Sequence, residues 1–194
     1  MSTTIANQAS VRAPANLIAR IAGVFYVLNT VTSMYSYFGP RNRLSFDVGL
    51  VATATYIVVT VLFYVLFKPA NRGLSLLAAL ISMAGSTMGV LNSLHVTFFR
   101  PNILIFFGFY CLLIGYLIAR STFLPRILGV LMAFGGVGYL TYLWPPLAKA
   151  LYPYNVVPGA LGEWTLTVWL LVKGVNEQRW QEQARTAAQT AGRG

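Results

Sequence analysis

Two long apolar segments joined by a short basic turn limit what this chain can fold into. They run from Ile103 to Leu143, and the turn between them spans Arg120 to Arg126. The first segment, residues 102–119, has no charged side chain, and at about 1.5 Å per residue it crosses most of a hydrocarbon core roughly 30 Å thick. Because backbone polar groups in hydrocarbon must be paired within their own segment, both segments are predicted to be membrane-spanning helices.

Small residues recur at helical spacing along each half of this hairpin. Such stripes let two helices approach closely in lipid, so we expect the two helices to pack through them. The stripes are Gly108, Cys111, Gly115 and Ala119 in the first helix, and Gly129, Ala133 and Gly136 in the second.

The composition excludes a water-soluble domain. Of the 194 residues, 57% are hydrophobic and 9% are charged, whereas a soluble domain carries about 25% charged residues. The net charge of +10 comes from basic residues scattered at helix ends, which favours membrane topology over nucleic-acid binding. Cys111 has no second cysteine for a disulfide or a cysteine metal cluster.

The predicted fold is therefore all-α, an integral membrane bundle of six transmembrane helices with residues 17–175 as the membrane domain. A polar tail, residues 1–16, is expected to be disordered, and residues 145–157 are expected to form a loop. Residues 176–194 are expected to form a partly helical, frayed cytoplasmic tail with Trp180 at the interface. The predicted spans are residues 17–38, 46–67, 74–98, 102–119, 123–144 and 158–174.

Six spans place both termini on one side of the membrane, and the distribution of basic residues indicates which side. Cytoplasmic segments carry an excess of Lys and Arg, so the more basic side, and both termini, are predicted to be cytoplasmic. That side has Arg12, Arg20, Lys68, Arg72, Arg120, Arg126, Lys173, Arg179, Arg185 and Arg193, and the other has Arg41, Arg43, Arg100 and Lys149.

Few polar residues lie within the spans, and these are the candidates for function because ionisable groups in a membrane are costly. Glu163 shares a helix face with Gly159 and Thr167, so we expect it to point into the bundle and to be hydrogen-bonded there. A polar cavity in the outer half is expected to bind a ligand, although the same residues also suit simple helix-bridging hydrogen bonds. The candidate ligand-binding residues are Glu163, His95, Asn29, Asn92 and Tyr110.

Other kinds of site find little support in the sequence. One His, one Cys and two carboxylates in the outer half are too few for a metal centre, and no cofactor or catalytic residue is indicated. A GxxxG spacing at residues 85–89 suits intramolecular packing better than a dimer interface, although a homo-oligomer is compatible with the sequence.

Several stretches resemble an uncharacterised bacterial membrane family, domain-of-unknown-function family 4386. They are KPANRGLSLLAAL (68–80), FFGFYCLLIGYLIARSTFLPRILGVLMAFGGVGYL (106–140), GALGEWTLTVWLLVKGV (159–175) and RIAGVFYVL (20–28). The resemblance implies a multi-pass protein of the bacterial inner (cytoplasmic) membrane and supplies no mechanism. Tyr110 stands where many members are expected to carry a histidine, so no role of that histidine is carried over.

Three classes of function remain open. The first is binding or moving a small apolar or amphipathic molecule, or a lipid, through the cavity. The second is a structural or regulatory membrane protein that meets a partner through its cytoplasmic turns and tail. The third is a membrane enzyme acting on a lipid-like substrate with His95 and Glu163 as acid and base, and the sparse polar set disfavours it.

Overall fold

The computed structural model of the chain describes residues 14–40, 42–94 and 102–191. Within these ranges the chain is helical and has no β-strand, which confirms the predicted all-α class. A 3-10 turn, Thr141–Leu143, follows α5. The helices are α1 (Ala15–Phe38), α2 (Arg43–Phe67), α3 (Arg72–Ser93), α4 (Ile103–Arg120), α5 (Arg126–Leu140), α6 (Pro145–Leu151), α7 (Val157–Val172) and α8 (Glu177–Ala191).

Helices α1 to α5 are long and apolar enough to cross a membrane, α5 together with its 3-10 turn. The segment predicted as the sixth span forms α7, which is apolar but has 16 residues. This corresponds to roughly 24 Å of helix, against a hydrocarbon core of roughly 30 Å. These helices indicate a multi-pass membrane protein.

The outward faces of the helices agree with this placement. On α5, Val130, Phe134 and Val137 recur every three or four residues and are each more than half exposed. Val168 and Val172 form a similar exposed row on α7. An apolar surface of this extent is untenable in water and is typical of helices that face lipid.

Six of the helices close into a ring. Each of α1 to α4 packs against the next helix in the chain, and α7 packs against both α5 and α1. The buried interior contains large side chains from different helices, among them Phe63, Ile114, Met132 and Leu170. Because α7 closes the ring, its inward face meets the centre of the bundle.

The closest approach in the ring is between α4 and α5, through the small residues predicted from the sequence. A Cβ atom placed on Gly115 would lie 2.6 Å from the carbonyl oxygen of Gly129, and one on Gly136 would lie 2.7 Å from that of Gly108. No side chain fits at such distances, so the backbone of each helix occupies the space that a side chain would need. The predicted packing through these stripes is confirmed.

Two expectations for the connecting segments are wrong. Residues 145–151 form the short helix α6 within the predicted loop, because Trp144 and the two following prolines start a helical turn. The tail is not frayed: α8 docks against the bundle, and the indole N–H of Trp180 donates to the carbonyl oxygen of Leu66 at 2.8 Å.

The start of α8 also fastens the beginning of α1. The backbone N–H of Asn16 donates to the carboxylate of Glu177 at 2.8 Å, and the Asn16 side-chain oxygen accepts from the backbone N–H of Val175 at 3.3 Å. Gly174, whose φ is 67°, makes the turn from α7 into this contact. A positive φ is readily adopted by glycine, so the turn suits this residue.

Candidate functional site

The carboxyl group of Glu163 lies on the inward face of α7. Its Oε1 accepts a hydrogen bond from the hydroxyl of Tyr139 at 3.2 Å, and the thiol of Cys111 points at the same oxygen from 3.9 Å. Tyr26 of α1 lies close enough to the same group to interact with it electrostatically. The predicted inward direction of Glu163 is confirmed, and its neighbours come from three other helices.

Glycine at position 159 makes this arrangement sterically feasible. The Tyr139 ring occupies the position that a Cβ atom on Gly159 would take. One turn along the same interface, a Cβ on Gly135 would lie 2.6 Å from the Cα of Gly159, so α5 and α7 are in backbone contact there. The missing side chain therefore lets Tyr139 reach along α7 to the carboxyl group one turn away.

Neutral donors alone surround the carboxyl group. Within the described ranges of the chain, Glu163 forms no hydrogen bond with a Lys or Arg side chain, and no cluster of His, Cys, Asp and Glu could hold a metal ion. Burying a charge without a partner is expensive, whereas a carboxyl group held by hydroxyl and thiol groups is satisfied without an ion pair.

Two further tyrosines extend the polar cluster across the bundle. The rings of Tyr26 and Tyr56 lie 6.5 Å apart, and those of Tyr56 and Tyr110 lie 6.1 Å apart. The hydroxyls of Tyr56 and Tyr110 are buried and have no hydrogen-bond partner among the described residues. Buried polar groups are nearly always paired, so these two hydroxyls are an exception to that rule within the described part of the chain.

A cavity of about 430 Å³ lies on the other side of Tyr56, between α1, α2, α3 and α4. Tyr56 belongs to its wall, so this residue separates the cavity from the cluster around Glu163. None of the described residues that line it has a charged side chain. The lining residues are Asn29, Ser33, Ser36, Phe46, Gly49, Leu50, Ala52, Thr53, Tyr56, Gly85, Ser86, Gly89, Val90, Ile103 and Phe107.

Several polar groups of the lining remain available to a ligand. Asn29 donates its amide N–H to the carbonyl oxygen of Ala52 at 2.8 Å, and no described donor reaches its Oδ1. The hydroxyls of Ser33 and Ser86 make no hydrogen bond with a described residue. In a low-dielectric environment such groups need a partner, so this wall can bind hydroxyl, carbonyl or amide groups.

The structure separates the residues that the sequence assigned to one site. Glu163 and Tyr110 belong to the buried cluster, whereas Asn29 lines the cavity and bonds to α2 instead of to Glu163. His95 and the side chain of Asn92 lie outside the described part of the chain. Among the described residues, Asn29 and Glu163 therefore do not line the same space, because Tyr56 stands between that carboxyl and the cavity.

Four residues of the cluster, Tyr26, Tyr56, Tyr139 and Cys111, were absent from the predicted site. Tyr26 lies one turn before Asn29 on α1, and this spacing could have pointed to it. Cys111 was assigned to small-residue packing, which is correct as far as it goes, since it is buried between helices. No pattern in the sequence pointed to Tyr139, because its contact with Glu163 depends on how α5 packs against α7.

Residues 102–174 match the model of the domain of unknown function DUF4386, which confirms the resemblance drawn from the sequence. An uncharacterized protein from Archaeoglobus fulgidus is 27% identical over 161 residues, which cover 79% of this chain and 93% of that protein. No solved structure matches the chain.

Proposed function

We propose that the protein crosses the bacterial inner membrane six times, with both termini in the cytoplasm. The ring closed by α7 supports six spans, since a helix packed between two membrane-spanning neighbours and exposing an apolar row belongs in the bilayer. The excess of Lys and Arg on one side supports the orientation. The short length of α7 is compatible with a membrane span if the bilayer thins locally or if the polar turns at its ends extend the segment.

A pair of matched substitutions tests the orientation. Arg43 and Arg72 are exposed residues at the starts of α2 and α3, which the proposal places on opposite sides. In spheroplasts, Arg43→Cys should react with an impermeant maleimide, and Arg72→Cys should react only after lysis. The native Cys111 is buried and serves as the unlabelled background. Labelling of Arg72→Cys alone in intact cells would contradict the proposed orientation.

We further propose that the protein binds a small, uncharged, amphipathic molecule in the cavity between α1 and α4. The observation that carries this proposal is that the described lining residues combine unpaired polar groups with uncharged side chains. Asn29 Oδ1, Ser33 and Ser86 offer hydrogen bonds to the polar end of such a molecule. Phe107 and Ile103 offer apolar contacts to its tail. A volume of about 430 Å³ lies in the range of small-molecule sites.

Matched probes of different charge test this proposal. Full-length protein in phosphatidylcholine nanodiscs is heated with decanol, decanoate or decylammonium, which share one chain length. Decanol should raise the unfolding temperature, because the cavity satisfies hydroxyl groups but has no counter-ion for a charged end. The two charged probes should raise it less.

A cavity-filling variant locates the effect. Ser86→Leu removes a free hydroxyl and fills part of the space, so it should abolish the decanol shift. Thr165→Leu makes a comparable change on the exposed face of α7 and should keep the shift. Equal shifts from all three probes, or a shift that survives Ser86→Leu, would rule out the proposed site.

A further inference from the structure

A second cavity, of about 400 Å³, lies at the opposite end of the bundle from the first. It is enclosed by the turn between α4 and α5 and by the turn between α7 and α8. Its existence depends on the docked position of α8, since the backbone N–H of Asn176 donates to the carbonyl oxygen of Phe123 at 3.1 Å. The lining residues are Thr122, Phe123, Leu124, Pro125, Trp169, Lys173, Gly174, Val175, Asn176 and Arg179.

The charge of this cavity is positive. Lys173 and Arg179 line it, and no acidic side chain is found among the described residues of its wall. Arg179 donates to the backbone carbonyl oxygen of Thr122 at 3.4 Å, which aims its guanidinium group along the cavity wall. The Lys173 ammonium group is exposed and has no hydrogen-bond partner among the described residues. Both cations are therefore free of a carboxylate.

The helix ends around the cavity contribute partial charges of both signs. Helix α5 begins after Pro125 with no side-chain cap, and a helix start carries partial positive charge. Helix α7 ends at Val172, with Lys173 as its C-cap, and a helix end carries partial negative charge. The positive charge that suits the cavity to a phosphate group therefore comes from the side chains of Lys173 and Arg179.

Apolar surface continues from the cavity toward the lipid-facing side of the bundle. Trp169 belongs to the wall, and Ile127 and Val172, which adjoin lining residues, are 60% and 65% exposed. A free phosphate ion would leave this surface unused. A phospholipid would place its headgroup between the two cations and its acyl chains along the exposed row.

We propose that this cavity is a binding site for the headgroup of an anionic phospholipid, held by Lys173 and Arg179. The site requires only that the helices span a bilayer, and it does not depend on a ligand in the first cavity. Arg and Lys are suited to this position because their long apolar stems lie along the helix ends while their charged groups reach the phosphate layer.

Lipid retention tests this proposal with a matched control. Full-length protein is reconstituted into vesicles of equal parts phosphatidylglycerol and phosphatidylcholine and is then extracted. Native mass spectrometry identifies the lipids that remain bound from the mass of the complex. Phosphatidylglycerol should be enriched over phosphatidylcholine among the retained lipids. Lys173→Gln should reduce this enrichment roughly fivefold, the effect of one basic residue near the headgroups, and Lys173→Arg should restore it.

Lys68→Gln provides the control, because it removes one exposed charge from the turn after α2, away from the cavity. It should leave the enrichment unchanged. Equal losses in Lys68→Gln and Lys173→Gln would overturn the proposal, as would no enrichment in the wild type. Because Arg179 also bonds to the α4–α5 turn, Arg179→Gln is interpreted only together with a folding check by circular dichroism.

A soluble probe separates the lipid from a free phosphate. If glycerol phosphate, added to the extracted protein, displaces the retained phosphatidylglycerol at equal concentration, the site binds free phosphate compounds and the lipid proposal fails. Retention of the lipid under these conditions supports the contribution of the acyl chains along Trp169, Ile127 and Val172.

Discussion

The two sides of the ring use glycine in opposite ways. Between α4 and α5, Gly115 faces Gly129 and Ala133, and the two backbones come into contact. Between α3 and α4, Gly85 faces Phe106 and Gly89 faces Ile103, and these larger side chains keep the helices apart. A small residue opposite a small residue closes an interface, whereas a small residue opposite a large one leaves room for a cavity.

The contact between α4 and α5 should be more sensitive to added side-chain volume than the contact between α3 and α4. Gly115→Val would push a branched side chain into the backbone of α5, so we expect a loss of about 3 kcal/mol of stability or no folded protein. Thermal unfolding in a mild detergent measures it. Ala160→Val adds similar volume on the exposed face of α7 and should unfold like the wild type. A stable Gly115→Val variant would show that the contact between α4 and α5 is looser than described.

The next largest effect on stability is expected at Glu163 of α7, the helix that packs against α5. Glu163→Leu leaves the hydroxyl of Tyr139 and the thiol of Cys111 without their acceptor, which should cost about 1–3 kcal/mol. Glu163→Gln keeps a carbonyl oxygen in the same place and should stay within about 1 kcal/mol of the wild type.

Unfolding midpoints of the Glu163 variants decide between these outcomes. Glu182→Leu, on the exposed face of α8, is the control for replacing a carboxylate with leucine and should have little effect. If Glu163→Leu were as stable as the wild type, the hydrogen bonds around this carboxyl would contribute nothing to the packing of α7.

The smallest effect on stability is expected between α3 and α4, beside the first cavity. An added methyl group at Gly89 would meet only the end of the Ile103 side chain, at 3.3 Å, and this flexible end can move aside. Gly89→Ala should therefore be neutral or stabilising by up to about 1 kcal/mol, since alanine favours the helix. The same substitution at Gly115 should destabilise, and equal midpoints for the two alanine variants would contradict the contrast between the two sides.

The sequence predicted the elements that depend on local patterns. The apolar lengths placed the helices, and the spacing of Gly108, Gly115, Gly129 and Gly136 identified the close pair. The inward orientation of the Glu163 side chain was predicted from the helix face that it shares with Gly159 and Thr167. Each of these predictions needs only the period of a helix and the sizes of side chains.

Relations between distant helices could not be predicted in the same way. Tyr139 reaches Glu163 only because α5 and α7 touch at Gly159. The rotation of one helix relative to another cannot be predicted from the sequence of either helix alone. The position of the cavity depends on α1 and α3 being held apart, and the docking of α8 depends on a carbonyl oxygen at the end of α2. For this reason Asn29 and Glu163, assigned to one site, lie on opposite sides of Tyr56.

The docking of α8 has a consequence for how the protein is made. The contacts that fasten Asn16 come from Val175 and Glu177, about 160 residues later in the chain. These contacts can therefore form only after the chain has been synthesised past Glu177, when the helices from α1 to α7 have already been made. Only a chain synthesised past Trp180 has all the contacts that dock α8 and fasten the start of α1.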